Sequence, residues 1–328
     1  MKLMKLQLRP PAYIENRTGT YSIITEKKIF TLKNENRSVQ QVLDDLSKKK
    51  TIHHEEYMDD IDAVDFIDRL KDLNLITTHN EYQEQTPHAR QLGYLAAYAD
   101  NAVNAQEEIQ KAKIAVFGLG GIGTELLNHL VGAGVLNFTI IDFDKVEIHN
   151  LNRQYLYSTK DVGKQKVDVA KKRILERNAE LQINIINSRV DSKQKASDII
   201  DSIKPNFAAI CLDTPLGTGP QNVANAAWDL KVPSCSAGVG IKKGFYGPIY
   251  HPSKSHQRPP RKYGGEGWGQ PRTTSHSFGP TNSIISAMMA KEIIHDLCGI
   301  ATNESYQAKS VFDFETMVRT PNYLSDDF

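Results

Sequence analysis

Cysteine is scarce in this chain, with three in 328 residues, at positions 211, 235 and 298. An odd, widely spaced set cannot form a disulfide framework, and with no C-x-x-C pair it offers no cysteine-based zinc site. Long hydrophobic runs are also missing. None approaches the roughly 20 residues that span a bilayer, and the opening MKLMKLQLRPP has no apolar signal core. A cytoplasmic protein with no membrane partner is the expectation. Charge of one sign is lacking too: 40 basic against 39 acidic residues leave +1, so no global field draws the chain to nucleic acid. No internal repeat is visible. What remains is an ordinary composition, 40% hydrophobic and 24% charged, long enough for two domains.

The first 80 residues read as a small α+β unit. Tyr13-Ile14 and Tyr21 to Ile24 flank the turn-prone Asn16-Arg17-Thr18-Gly19, which predicts a hairpin. Val39, Val42, Leu43 and Leu46 then recur at helical spacing, with Ser38 as the expected N-cap. Ala63, Phe66, Ile67, Leu70 and Leu73 mark a second helix that runs into Leu75-Ile76 as a closing strand. Hairpin, helix, helix and strand give a winged-helix-like outline. Its second helix is acidic (Asp59, Asp60, Asp62, Asp65, Asp68) and would repel phosphates, which argues against DNA.

Residues 81–112 read as a polar linker, centred on 78–90, and a helix. From 113 to 328 apolar strands alternate with helices, which predicts an α/β domain with a Rossmann-like, mostly parallel sheet. The expected strands are 114–117, 138–141, 183–186 and 208–212, with helices over 123–133 and 166–178. Residues 251–279 break the alternation. That segment is rich in Pro, Gly and cations (Lys254, Arg258, Arg261, Lys262, Arg272) with Tyr263 and Trp268 embedded. It reads as a flexible loop able to close over an acidic substrate.

The segment KIAVFGLGGIGTELL carries the most chemistry. A strand runs into Gly118-Leu119-Gly120-Gly121-Ile122-Gly123, and a helix begins. Glycines let backbone N–H groups approach phosphate oxygens at a helix N-terminus. The next strand ends in Asp142-Phe143-Asp144, where an acid can accept hydrogen bonds from ribose hydroxyls. To this point a dehydrogenase fits equally well. The following residues separate the two. Asn150-Leu151-Asn152-Arg153-Gln154 and Gly163-Lys164-Gln165-Lys166 bring a donor fork and a lysine that hydride transfer does not need. Attack of a carboxylate on an α-phosphorus does need them, because both reactants and the leaving pyrophosphate are anionic. Taken singly, each of these residues is an ordinary surface charge or turn former; the ordered set argues for a joint role.

The run GLGGIGTE…IDFDKVEIHNLNRQ…DVGKQK closely resembles the ThiF/MoeB/E1-like adenylating enzymes over residues 86 to 300. The resemblance implies Asp142 on the ribose, Asn150, Arg153 and Lys166 around the phosphates, and Gln154 beside them. Asp213, in Cys211-Leu212-Asp213-Thr214-Pro215, matches an acid that holds Mg²⁺. His88-Ala89-Arg90-Gln91 resembles a segment whose second Arg reaches the neighbouring subunit's ATP, which implies Arg90 as an arginine finger and a homodimer. Pro87 replaces the first Arg of that motif.

The chain departs from many relatives in lacking two zinc-binding C-x-x-C pairs. His251, His256 and His276 have no zinc spacing, so no zinc is expected. No cysteine lies in the 251–279 loop, and Cys211 and Cys235 sit on apolar strand ends, which disfavours a thioester step. The N-terminal layout resembles the PqqD-like leader-peptide domain, which takes a peptide as an added strand. Together the two parts resemble the microcin C7 and pantocin A types of peptide-maturing adenylating enzyme, and the missing zinc leans toward the second. That implies ATP-dependent adenylation of a carboxylate, a Glu side chain, in a ribosomally made precursor peptide, then intramolecular cyclisation in antibiotic biosynthesis. Two alternatives stand: activation of the C-terminus of a peptide or of a ubiquitin-like or sulfur-carrier protein, and a non-catalytic leader-peptide scaffold.

Overall fold

The computed structural model describes residues 5–17, 19–32, 36–78, 87–215, 218–255, 257–260 and 276–323. It divides into two compact units, Met1–Glu107 and Glu108–Phe328.

The first unit contains β1 (Lys5–Leu8), β2 (Tyr13–Arg17), β3 (Thr20–Ile24), β4 (Ile29–Leu32), α1 (Arg37–Lys48), β5 (Thr51–His53), α2 (Ile61–Asp72), β6 (Ile76–Thr78) and α3 (Ala89–Ala96). The helix α4 (Ala102–Lys111) crosses its boundary. Two antiparallel sheets, ordered β2-β3-β4 and β5-β1-β6, share an apolar core with α1 and α2. The hairpin pairs Tyr13 with Ile24 and Arg17 with Thr20, so the turn is tighter than its polar residues suggest, with Gly19 at φ +84°. α1 buries Val39, Val42, Leu43 and Leu46 as their spacing requires. Its cap is Asn36, not Ser38: the Asn36 side chain accepts from the N–H groups of Ser38 and Val39, so Ser38 already lies inside the first turn. α2 buries Ala63, Phe66, Ile67 and Leu70, but it ends at Asp72, which leaves Leu73 off the face and 47% exposed.

Arg9 ties the N-terminal strands to the segment around α3. It is buried, with Nη1 donating to the carbonyls of Ala96 and Ala99 (3.2 and 3.1 Å) and Nη2 paired with Asp100 at 3.0 Å. The stretch carrying Arg90 therefore packs within the first unit.

The second unit is built on one eight-stranded sheet, ordered β14-β13-β12-β11-β10-β7-β8-β9. Its elements are β7 (Lys113–Phe117), α5 (Gly121–Ala133), β8 (Asn137–Ile141), α6 (Lys166–Arg177), β9 (Gln182–Ile186), α7 (Lys193–Ile203), β10 (Phe207–Ile210), α8 (Gly219–Asp229), β11 (Ser234–Val239), β12 (Lys243–Tyr250), α9 (Gly279–Leu297), α10 (Asn303–Gln307), β13 (Ala308–Asp313) and β14 (Val318–Tyr323). The strands β9, β8, β7, β10 and β11 run parallel, and β12 to β14 continue antiparallel. This is the α/β, mostly parallel architecture that the alternation predicts. α7 and α8 cover one face through Ile199, Ile200, Val223 and Ala227, with Val190 ahead of α7, in one cluster with Phe117, Ile141 and Ile210. α5 and α9 pack together, with Ser286 Oγ donating to the Ile122 carbonyl at 3.0 Å.

Chain order reverses at β7, with β8 and β9 on one side and β10 and β11 on the other. A crevice at the carboxyl ends of β7 and β10 is where such sheets bind ligands. Among the described residues no helix is long and apolar enough to cross a membrane.

Two stability tests follow from these contacts. Arg9→Ala strips the Ala96 and Ala99 carbonyls of a buried donor and should cost about 2–4 kcal/mol, read as earlier unfolding in urea. His295 on α9 is 4% exposed, and burial holds its imidazole down at about 4 against 6.5. The unfolded chain binds that proton more readily, so the contribution is full above 6.5 and is lost as pH falls toward 4. His295→Gln should flatten the decline in Tm between pH 7 and pH 5.

Candidate nucleotide site

At the end of β7 the chain must turn within a residue or two into α5, and the glycines differ in why they are needed. Gly118 sits at φ +97°, and a Cβ there would lie 2.7 Å from the Leu212 nitrogen. The glycine turn thus lies directly against the residues that follow β10. At Gly123 a Cβ would lie 1.9 Å from the Gly118 carbonyl oxygen, so this residue sets how closely helix and strand approach. Gly120 is different. Among the described residues its Cβ would meet only Gln154 Nε2, at 4.0 Å, so that side of the turn is open with respect to them. Gly121 faces Asn282 of α9, whose Oδ1 would be 2.5 Å from an added Cβ.

The two acids after β8 have separate environments. Asp142 is buried, and its carboxylate accepts from the N–H groups of Leu119 (2.6 Å) and Asp144 (2.7 Å). Burial pushes its carboxyl up, against the opposing pull of Lys166. Asp142 thus fastens the glycine turn to β8. Asp144 is about half exposed and pairs with Lys166 Nζ at 3.0 Å. Backbone pairing creates that contact: the Lys166 N–H donates to the Asp144 carbonyl, and Val146 and Lys164 are joined by a further hydrogen bond. Gly163, at φ +87°, makes the reversal. Its fixed point is Asp161, a buried carboxylate accepting from Ser158, Lys164 and Arg173, which hold it far below the usual carboxylate range.

Between these strands lies the Asn150–Gln154 segment. The Asn150 side chain is buried and accepts from the Glu147 N–H at 3.0 Å, which closes a short 3-10 turn over Ile148–Asn150. Arg153 Nη1 donates to the His149 carbonyl and to Asn152 Oδ1, both at 2.9 Å. Gln154 is 2% exposed, and its Oε1 has no hydrogen-bond partner among the described residues. The nitrogen of the same amide is the atom nearest Gly120. Sequence reasoning missed Tyr157, whose hydroxyl donates to the Leu119 carbonyl at 3.1 Å. It also missed Asn152, which donates to the Ser277 carbonyl at 2.8 Å and so ties this segment to the residues before α9. Both contacts join stretches far apart in sequence and leave no local signature.

Asp213 lies three residues beyond β10, exposed, with the Thr214 hydroxyl donating to it at 3.1 Å. One free carboxylate of this kind suits a Mg²⁺ that takes its other ligands from phosphates and water. Among the described residues no group of three or more His, Cys, Asp or Glu could hold a metal by itself. Arg90 is exposed at the second position of α3, in the first unit.

The cationic loop differs from its expected form where it is described. Lys254 pairs with Asp296 at 3.0 Å and Arg258 with Asp229 at 3.4 Å, so both are held by the scaffold. His256, Arg261, Lys262, Tyr263, Trp268 and Arg272 lie outside the described residues. Burial pushes the Cys211 thiol up to about 12 and the Cys235 thiol higher still, so neither supplies a thiolate near neutrality.

The glycine turn gives a paired test. Gly123→Ala should lower Tm by about 4 °C or more, since the helix must move off the strand. Gly120→Ala should leave Tm within about 1 °C yet weaken triphosphate binding by roughly tenfold, because the added methyl enters the open side.

Comparisons with known proteins place the chain in a family. The ThiF family model matches residues 88–323. A sulfur carrier protein adenylyltransferase from Thermus thermophilus is 35% identical over 127 residues, which is 35% of this chain and 47% of that relative. The chain spans less than half the length of two of the curated relatives that it matches. The structure of Escherichia coli MccB with AMPCPP and MccA superimposes with a TM-score of 0.77 at 20% identity, covering 98% of this chain and 97% of that one. That of PaaA does so with a TM-score of 0.70 at 21% identity, covering 95% and 98%. With the family model spanning most of the sequence over the glycine turn, the paired acids and the lysine segment, this chain belongs to the ThiF family.

Proposed function

We propose that this protein is an ATP-dependent adenylating enzyme that activates a carboxylate of a ribosomally made peptide, a Glu side chain, for attack from within the same peptide. The observation that carries the reading is the buried Lys166 ammonium, held against Asp144 and acting also on Asp142, the acid that binds the glycine turn at Leu119. A dinucleotide oxidoreductase has no use for a buried cation there, whereas a triphosphate requires one.

In this reading the backbone N–H groups at the start of α5 receive phosphate oxygens through the space beside Gly120. Lys166 and Arg153 neutralise the phosphates; Lys166 keeps its place because backbone pairing fixes it, and Arg153 by turning its fork from the His149 carbonyl. Gln154, whose amide nitrogen is the atom nearest Gly120, donates to the same phosphates. Asp142 supports the turn from beneath, which leaves Asp144 the better-placed acid for ribose hydroxyls. Asp213 would hold Mg²⁺, which would supply neutralisation of phosphate charge. The substrate carboxylate oxygen forms a bond to the α-phosphorus as the bond to pyrophosphate breaks, giving the acyl-adenylate. The high thiols of Cys211 and Cys235 support direct attack by the substrate rather than transfer to an enzyme cysteine.

MccB, a microcin C7 biosynthetic enzyme, has been captured with MccA and with ATP. Its likeness in fold over nearly the whole of this chain supports a peptide substrate, with the first unit holding the leader. A homodimer in which Arg90 serves the neighbouring subunit and a cytoplasmic location belong to the same proposal. A second reading, activation of a sulfur-carrier C-terminus, is favoured by the Thermus relative.

The test is pyrophosphate release by the purified full chain with ATP. A Glu-containing precursor peptide should stimulate release, and Asp213→Ala should reduce it by about a hundredfold or more. Stimulation by a Gly-Gly-ended carrier protein instead would favour the second reading, and a chain that fails to bind ATP would be a scaffold.

A further inference from the structure

Lys166 is held by a carboxylate, whereas Arg153 is held by an amide. Arg153 Nη1 donates to Asn152 Oδ1 at 2.9 Å. The other end of that amide, Asn152 Nδ2, donates to the Ser277 carbonyl at 2.8 Å, across 125 residues of sequence. An amide has one accepting and one donating end, and here each has its own partner. The guanidinium requires the oxygen, so the nitrogen is left for Ser277. Asn152 is exposed, and an exposed neutral hydrogen bond adds little to stability.

The surroundings give the bridge a fixed base. Gly279 opens α9, and a Cβ there would lie 2.7 Å from the Asn152 carbonyl oxygen, so the Asn152 backbone lies directly on the start of that helix. Asn282, in the first turn and 5% exposed, donates from Nδ2 to Ser277 Oγ at 3.0 Å and to the Phe278 carbonyl at 2.7 Å. Its Oδ1 would be 2.5 Å from a Cβ added at Gly121, and Arg153 Cγ would be 3.3 Å from the same Cβ. Residues 277–282 are therefore joined to Asn152 on one side and abut the glycine turn on the other. The stem of Arg153 meets that turn at the same glycine.

We propose that Asn152 is a positioning residue that couples Arg153 to the start of α9, so that nucleotide binding and the order of residues 277–282 depend on each other. The inference rests on the ATP reading above. A guanidinium on a long, rotatable stem loses freedom when it binds, and that loss opposes affinity. Asn152 removes part of the loss beforehand. It keeps hold of Nη1 while the fork swings from the His149 carbonyl to the phosphates, and its own amide cannot turn because Ser277 holds the nitrogen. Linkage makes the effect reciprocal. If the placement of residues 277–282 favours ATP, bound ATP steadies residues 277–282.

The test is calorimetric titration of the full chain with ATP and Mg²⁺, and with adenosine, which lacks the phosphates. Asn152→Ala should raise the Kd for ATP by about fivefold and leave that for adenosine within about twofold. In an Arg153→Met background, which keeps the stem against Gly121, the same substitution should change the ATP Kd by less than about twofold, because its partner is gone. ATP should slow amide hydrogen exchange over residues 277–282 in the wild type and fail to do so in Asn152→Ala. An unchanged ATP Kd in Asn152→Ala would make the bridge a surface contact and overturn the inference. A full fivefold loss in the Arg153→Met background, equal weakening toward adenosine, or the same slowing of exchange in Asn152→Ala would each overturn it as well. A wild-type chain that binds ATP no better than adenosine would overturn the ATP reading itself, a result seen before any variant is made.

Discussion

Lys166 is an ammonium buried to 5% exposure, and a charge taken out of water is tolerable only against a partner. Asp144 provides that partner on its exposed side, so the pair faces the crevice with one member shielded and the other open. Nearly every other feature of the site keeps these two side chains together. The short antiparallel pairing of residues 144–146 with 163–166 brings them into register. Asp161, gathering hydroxyl, ammonium and guanidinium donors, stabilises the loop that makes the pairing possible.

The glycine turn is arranged around the same point. Asp142 turns its carboxylate away from the crevice and into the backbone of the turn, while Tyr157 holds the opposite side through the Leu119 carbonyl. The turn is therefore fixed before any ligand arrives, which lowers the ordering cost of binding. Gln154 Nε2 is the atom nearest an added Cβ at Gly120.

Several misreadings of the sequence share one cause. Ser38 and Asn36 are both good capping residues, and only the backbone path shows that Asn36 stands in extended conformation ahead of the helix. The strands β1, β4 and β5 have three or four residues each, too few for period-two alternation to stand out. Lys254 and Arg258 read as free cations because Asp296 and Asp229 are far away in sequence. In each case the deciding partner is non-local or conformational, and residue type alone does not carry it.

The sequence by itself determined the alternating α/β plan, the glycine turn between strand and helix, and the set of acids, arginine and lysine that fits a triphosphate. Those are local patterns, legible because hydrophobic periodicity and motif spacing are properties of the chain. Tertiary structure decided how the set is divided. It buried Asp142, left Asp144 open, and sealed Lys166 into an ion pair. Burial and pairing depend on which strand lies beside which, and in this sheet the neighbours β7 and β10 are some ninety residues apart in the chain.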